Sequence, residues 1–237
     1  MTLPTEPGLT PGPKWTSTPT NAPSHGRFWT DQYEEIHASG LPSKIVVETR
    51  PDLHICYFDL EIRRSVESCG GWDEVKKTGG VSMLCIWDSR AKRPFFYDDH
   101  TLADAADHLE RSQIVVSFNG AWFDVQLIQN SLARPLKLVE HVDIFADVKR
   151  ALELAGKSWK GHGLDALCRN TFGMGKIGSG EHAPQLVVEG KWAELVNYCL
   201  SDVLLTRDLC EFIRKEGYVI DKDGERLPIA LPPWFRS

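Results

Sequence analysis

LHICYFDLEI, residues 53–62, is the stretch on which the reading of the chain turns. It is apolar enough for a buried strand, yet it carries Asp59 and Glu61 near its end. Residues two apart on a strand point to the same face. One core strand therefore delivers two carboxylates into one small volume. Like charges that close repel and raise each other's pKa unless a cation sits between them. A divalent metal relieves that repulsion, and oxygen-only ligands suit magnesium or manganese. Taken alone, an Asp-x-Glu pair is better explained by an edge strand ending in solvated acids, so the weight falls on the rest of the chain.

The chain has 237 residues, enough for one sizeable core, and 42% of them are apolar. No apolar run is long enough to span a bilayer. The N-terminus lacks the basic-then-apolar pattern of a secretory signal. A cytoplasmic protein without a membrane partner is the expectation. The six cysteines (Cys56, Cys69, Cys85, Cys168, Cys199, Cys210) include no Cys-x-x-Cys pair, which favours buried free thiols over zinc or disulfides. The formal charge of −6 argues against bulk coating of nucleic acid but not against a local basic groove.

Residues 1–44 read as a proline-rich arm, partly extended, in which Trp15, Phe28, Trp29 and Tyr33 offer anchors to the folded body. The body, 45–237, begins with a short strand or lead-in at 45–50. The first core strand follows at 53–62, then a Gly-rich loop or lid over 65–80 and strands at 81–89 and 93–99. Short connections make these an antiparallel meander. Thr101 suits the N-cap of a helix over 102–111. A wholly apolar strand at 114–118, a helix at 121–131 and a fifth strand at 136–145 come next. Helices are expected at 145–155, 163–172 and 191–215, and a closing hairpin turns at Asp223-Gly224. Meander strands followed by strands alternating with helices predict an α/β fold, a mixed five-stranded sheet with helices on both faces.

Two further places set acids on apolar faces. In FNGAWFD (118–124), Asn119 and Gly120 open a helix, and Asp124 is expected in its second turn, in register with Leu127, Ile128 and Ser131. Taken alone, the motif is better explained by a turn plus a favourable acid near a helix N-terminus. In the long helix, Leu195, Tyr198, Asp202, Leu205, Leu209 and Phe212 form one stripe. Tyr198 and Asp202 stand one turn apart on it. A lone ionised Asp on a buried stripe is costly without a partner; Arg207 is one candidate, a metal shared with Asp59 and Glu61 another.

In order, Phe58-Asp59-Leu60-Glu61, Asn119-Gly120-Ala121-Trp122-Phe123-Asp124 and Tyr198-Cys199-Leu200-Ser201-Asp202 resemble the motifs of the DEDD 3′–5′ exonucleases of the ribonuclease H-like fold. These include RNase D and the proofreading domains of DNA polymerases. Asn197 stands where the other branch of that family places a histidine, so the resemblance is to the tyrosine branch, DEDDy. The wording is similar to exonuclease domains of family B polymerases and their stand-alone relatives. No polymerase module fits in the remaining residues, so a free-standing nuclease is expected.

The resemblance implies two divalent cations, Mg2+ or Mn2+, held by Asp59, Glu61, Asp124 and Asp202. Asp59 would bridge both, Glu61 and Asp202 would complete the water-activating site, and Asp124 would serve the second ion. Tyr198 would complete the catalytic set by orienting the attacking water. Phe58, Leu60 and Phe123 flank the acids where family members wedge terminal bases, although alternation along the strand favours core packing for Phe58 and Leu60. Asn119 resembles the residue that approaches the terminal nucleotide. Asp143 reads as a structural cap. Lys157, Lys160, His162, Lys176 and His182 offer a basic lip, or solvated loop charge. Trp87, Trp122, Trp159 and Trp192 could stack bases, with burial at least as plausible for Trp122 and Trp192. The implied reaction is 3′–5′ hydrolysis of single-stranded DNA to nucleoside 5′-monophosphates. A 3′–5′ exoribonuclease, a structure-selective endonuclease and a non-catalytic nucleic-acid-binding or scaffold module on the same fold are the alternatives. DNA is favoured over RNA, and the motifs do not name a protein partner.

Overall fold

A computed structural model of the chain describes residues 52–176 and 182–235. The proline-rich arm, its aromatic anchors and the lead-in at 45–50 lie outside the described residues. In chain order the main elements are β1 (Ile55–Ile62), α1 (Val66–Cys69), α2 (Trp72–Thr78), β2 (Val81–Asp88), β3 (Arg93–Tyr97), α3 (Leu102–Glu110), β4 (Ile114–Ser117), α4 (Asp124–Leu132), β5 (His141–Asp143), α5 (Ile144–Leu154), α6 (Leu164–Phe172), α7 (Ala183–Val188), α8 (Trp192–Glu216), β6 (Tyr218–Ile220) and β7 (Arg226–Pro228). A 3-10 turn, Pro233–Phe235, follows them.

Five strands form one sheet in the order β3-β2-β1-β4-β5. β1, β2 and β3 pair antiparallel, and β4 and β5 extend the sheet parallel to β1. This is the mixed five-stranded sheet that the meander and the alternating half predict. Alternation divides its core. Ile55, Tyr57, Met83, Cys85 and Phe96 face Leu195, Val196, Cys199 and Val203 of α8. Cys56, Phe58, Leu60, Leu84 and Ile86 face Leu102, Ala105, Ala106 and Leu109 of α3 and Leu127 and Ile128 of α4. Each such fully buried aliphatic side chain contributes about 1.5–3 kcal/mol.

Three segments differ from their sequence reading. The stretch 65–80 is not a loop: Ser65 caps α1 by accepting from the Ser68 amide at 3.1 Å, Gly70 closes α1 at φ 90°, and α2 buries Val75. The fifth strand is only Asp143 and the two residues before it, because the Asp143 side chain accepts from the amides of Phe145 and Ala146 and starts α5 there. The helix expected from 121 begins at Asp124, after a turn.

α8 keeps the stripe expected of it, with Leu195, Tyr198, Asp202, Leu205 and Leu209 all buried. It is fixed beneath the sheet by a polar clasp. Tyr57 Oη donates to Glu211, Arg214 pairs with both Glu211 carboxylate oxygens at 2.7 Å, and Arg214 Nε donates to the Phe235 carbonyl at 2.8 Å. No helix among the described residues is long and apolar enough to cross a membrane.

Candidate active site

β1 points Asp59 and Glu61 toward α8, as alternation requires. α8 answers with Tyr198 and Asp202 from successive turns, and the Tyr198 hydroxyl donates to the Asp202 carboxylate. Cys199 lies between them. Its thiol donates to the Asp59 carbonyl at 3.5 Å, and one ligand atom from each of Asp59, Glu61 and Cys199 falls within 4.8 Å of the others.

Asp124 reaches the same volume from the first residue of α4. The pairing of β1 with β4 runs from Ile55 and Ile114 to Tyr57 and Val116 and stops there, so the next strand amides on that side of β1 lack a ladder partner. Asp124 accepts from the Leu60 amide in that gap and from its own backbone N–H. The turn before it is tight. Asn119 adopts φ 67°, which Asn tolerates better than most side chains. A Cβ on Gly120 would stand 2.5 Å from Ser117 Oγ, so only glycine fits. Asp143 pins this turn by accepting from the Asn119 amide at 2.7 Å and the Ala121 amide at 3.0 Å while it caps α5. It is the structural cap that the sequence suggested.

The four carboxylates resist ionisation together. Burial and the neighbouring Asp202 and Asp124 charges push Asp59 well above the usual carboxylate range, and burial plus Asp59 does the same to Glu61. Burial holds Asp124 up at about 7, against the pull of the two amides it accepts from. Burial also raises Asp202, against the pull of Lys176.

Lys176 is the residue that sequence reasoning misplaced. It was grouped with the basic lip, yet its ammonium enters the acid cluster, 2.5 Å from Asp202 Oδ2 and 3.3 Å from Tyr198 Oη. Asp165 aims it there by accepting from the Lys176 amide at 2.7 Å. The signal was the uncompensated buried acid on α8, for which Arg207 was the candidate partner; Arg207 instead pairs with Asp208 at 2.8 Å and lies over the Trp87 ring. Two other members of that lip are also engaged elsewhere. Lys157 pairs with Asp221 and Glu225 beside the hairpin, and His162 is fully buried. Lys160 and His182 are exposed, while 177–181 lie outside the described residues.

The apolar neighbours of the acids separate as well. Phe58 and Leu60 are buried in the α3 and α4 side of the core, facing away from the acids, so their side chains pack and do not line the site. Phe123 is half-buried and stands edge-on to Trp72 and stacked with Trp122. Trp72 and Trp122 are 55% and 42% exposed, so the burial considered for Trp122 does not hold, whereas Trp192 is buried. Across the site, Lys149 donates to Asn119 Oδ1 at 3.2 Å and lies over the rings of Phe145 and exposed Trp159.

The donor set fits divalent cations. The acids are hard oxygen ligands, an ammonium stands among them, and buried Asp202 Oδ1 has no hydrogen-bond partner among the described residues.

No protein-family model and no curated protein matches the chain. Among solved structures it is similar to the family B DNA polymerase of the hyperthermophilic archaeon Pyrobaculum calidifontis, at 19% identity and a TM-score of 0.55. The alignment covers 69% of this chain and 25% of that one, so the chain spans about a quarter of the polymerase. The likeness is one of fold.

Proposed function

We propose that the protein is a metal-dependent 3′–5′ exonuclease that removes nucleotides from the 3′ end of single-stranded DNA. The observation that carries this reading is the convergence of Asp59, Glu61, Asp124 and Asp202 from three elements onto one volume that already draws in a cation. Burying carboxylates together costs stability, and a site for divalent ions accounts for it. The likeness to a DNA polymerase fold and the order of the motifs support DNA as substrate.

Asp59, Glu61, Asp124 and Asp202 would hold two ions, magnesium or manganese, which supply positive charge against the oxygens that enter and leave phosphorus. The chain's own groups do the rest. Burial and Asp202 hold the Tyr198 phenol well above its ordinary pKa, so it stays protonated and acts by hydrogen bonding, orienting the attacking water. With the ions in place Glu61 would be ionised and would accept a proton from that water at a carboxylate oxygen. The water oxygen forms the new P–O bond, the bond to the 3′ oxygen of the preceding nucleotide breaks, and that oxygen takes a proton from solvent water. The product is a nucleoside 5′-monophosphate. Trp72, Trp122 and Phe123 on the Asp124 side, and Trp159 with Lys149 beside Asn119, offer ring faces to bases, each worth about 1–3 kcal/mol where stacked.

Matched 5′-labelled DNA and RNA strands of one sequence test this. We expect the wild-type protein with magnesium or manganese to shorten the DNA stepwise from its 3′ end, and Asp59→Ala or chelator to abolish the ladder. Shortening of RNA alone would make it an exoribonuclease. No ladder on either strand, with metal still bound, would overturn the exonuclease reading.

A further inference from the structure

We propose that the protein carries a second, structural metal site, for zinc, on the opposite face of β1 from the acids, formed by His54, Cys56, Asp88 and His108. Cys56 and Asp88 are register partners on β1 and β2. His54 precedes Cys56 by two residues and shares its face, and α3 lays His108 over them. All four are buried, at 8%, 0%, 7% and 7% exposure. One donor atom from each lies within 4.8 Å of all the others.

Three of the six spacings between donor atoms are close to those around a tetrahedral ion. Zinc bonds of about 2.0–2.3 Å place ligand atoms roughly 3.3–3.8 Å apart. His54 Nε2 and His108 Nε2 stand 3.1 and 2.9 Å from Asp88 Oδ2, and Cys56 Sγ stands 3.8 Å from His54 Nε2. These edges need shifts of only a few tenths of an ångström. Outer contacts also hold two of the donors, Asp88 and His108, in place. Asp88 Oδ1 accepts from the amides of Arg90 and Ala91 at 2.8 and 3.0 Å, which leaves Oδ2 aimed inward. The Tyr97 hydroxyl sits 2.7 Å from His108 Nδ1, and Phe95 packs edge-on to that imidazole. Such partners fix the ring and tautomer of metal-bound histidine.

The donor chemistry separates this site from the first. Two imidazoles, a thiolate and a carboxylate suit zinc, whereas the acids on the other face suit magnesium or manganese. Thiolate and carboxylate together balance a divalent charge, so the loaded site is neutral, as burial demands. Hydrogen bonds from two histidines to Asp88 account for the imidazoles, and Cys56 packs in the α3 side of the core; an ion employs all four donors at once. On loading, each imidazole gives its Nε2 lone pair and the Cys56 thiol releases its proton to solvent as the S–Zn bond forms. Four protein ligands close the sphere, as in structural zinc sites. The absence of Cys-x-x-Cys pointed away from zinc because spacing rules see only neighbouring ligands, and these come from the lead into β1, β1 itself, β2 and α3.

The test uses the full chain, with its zinc content measured after purification and then exchanged for cobalt(II). Asp59→Ala disables the acid site and Cys199→Ser removes the thiol beside it. We expect one zinc per chain, and a thiolate-to-cobalt charge-transfer band in wild type, Asp59→Ala and Cys199→Ser that is lost in Cys56→Ser. Tyr97→Phe, which keeps the ring, should weaken zinc binding about 10–100-fold against a chromophoric chelator; a merely structural tyrosine would leave that affinity unchanged. Absence of the band from wild type, its survival in Cys56→Ser, or its loss in Cys199→Ser alone would overturn the proposal. Should Cys56→Ser fail to fold, the wild-type zinc content and the Tyr97→Phe affinity decide it.

Discussion

Lys176 holds the position that a divalent ion would contest. Its side chain is about a quarter exposed, and its ammonium gains from Asp202, Asp59 and Glu61 at once, which raises its pKa above the ordinary lysine value despite burial. A lysine on a loop can withdraw when a better-charged occupant arrives. In metal-free protein, Lys176→Met leaves the acids without a counter-charge. We expect a loss of about 3 kcal/mol, seen as a fall of roughly 6–12 °C in Tm in chelator at neutral pH. The same variant should bind magnesium more tightly in calorimetric titration, because no ammonium has to be displaced; weaker binding would show that Lys176 supports the ions. Asp59 and Glu61 were legible because strand alternation is a local rule, and Phe58 and Leu60 were legible as packing for the same reason. Lys176 was not, since it meets Asp202 across 26 residues of chain without any periodicity.

Among the elements, the turn from β4 into α4 and the start of α5 are joined by one carboxylate. Asp143 serves amides of both, so it sets where β5 ends, where α5 begins and where Asp124 stands. Asp143→Ala should destabilise the protein by about 2–4 kcal/mol, combining a lost cap with stranded turn amides. Its activity should fall at saturating metal, because Asp124 is no longer held; denaturant titration and single-turnover assays of one preparation check both. This junction also explains two misread boundaries. The apolar pattern of 136–145 suits a strand of ten residues, but a side-chain cap can end a strand where hydrophobicity does not. α2 was hidden for the opposite reason: it buries little beyond Val75 and Lys76, so its face carries almost no apolar period. The long α8 was read almost to its ends because its stripe is continuous.

For the whole molecule, the acid cluster makes stability depend on pH with an unusual sign. Asp59, Glu61, Asp124 and Asp202 have folded-state pKa values above those of the unfolded chain. The folded state therefore binds more protons, and stability declines as pH rises from the ordinary carboxylate range near 4 through about 7, where Asp124 titrates. Metal-free protein should show a lower denaturation midpoint at pH 8 than at pH 5.5. Asp124→Asn should flatten that slope, and magnesium should restore the midpoint at pH 8 by binding only the folded form. An unchanged midpoint in chelator would show that the cluster is already compensated. The distance in sequence between the two walls of the site bears on how the protein is made. Cys199 touches Asp59 across 140 residues, and Glu211 touches Tyr57 across 154. At about 5–20 residues per second of synthesis, β1 leaves the ribosome roughly 7–28 s before α8 can cover it. Until then the face bearing Ile55, Tyr57, Met83 and Cys85 stands open, and this nascent stage is where the chain has most need of a chaperone.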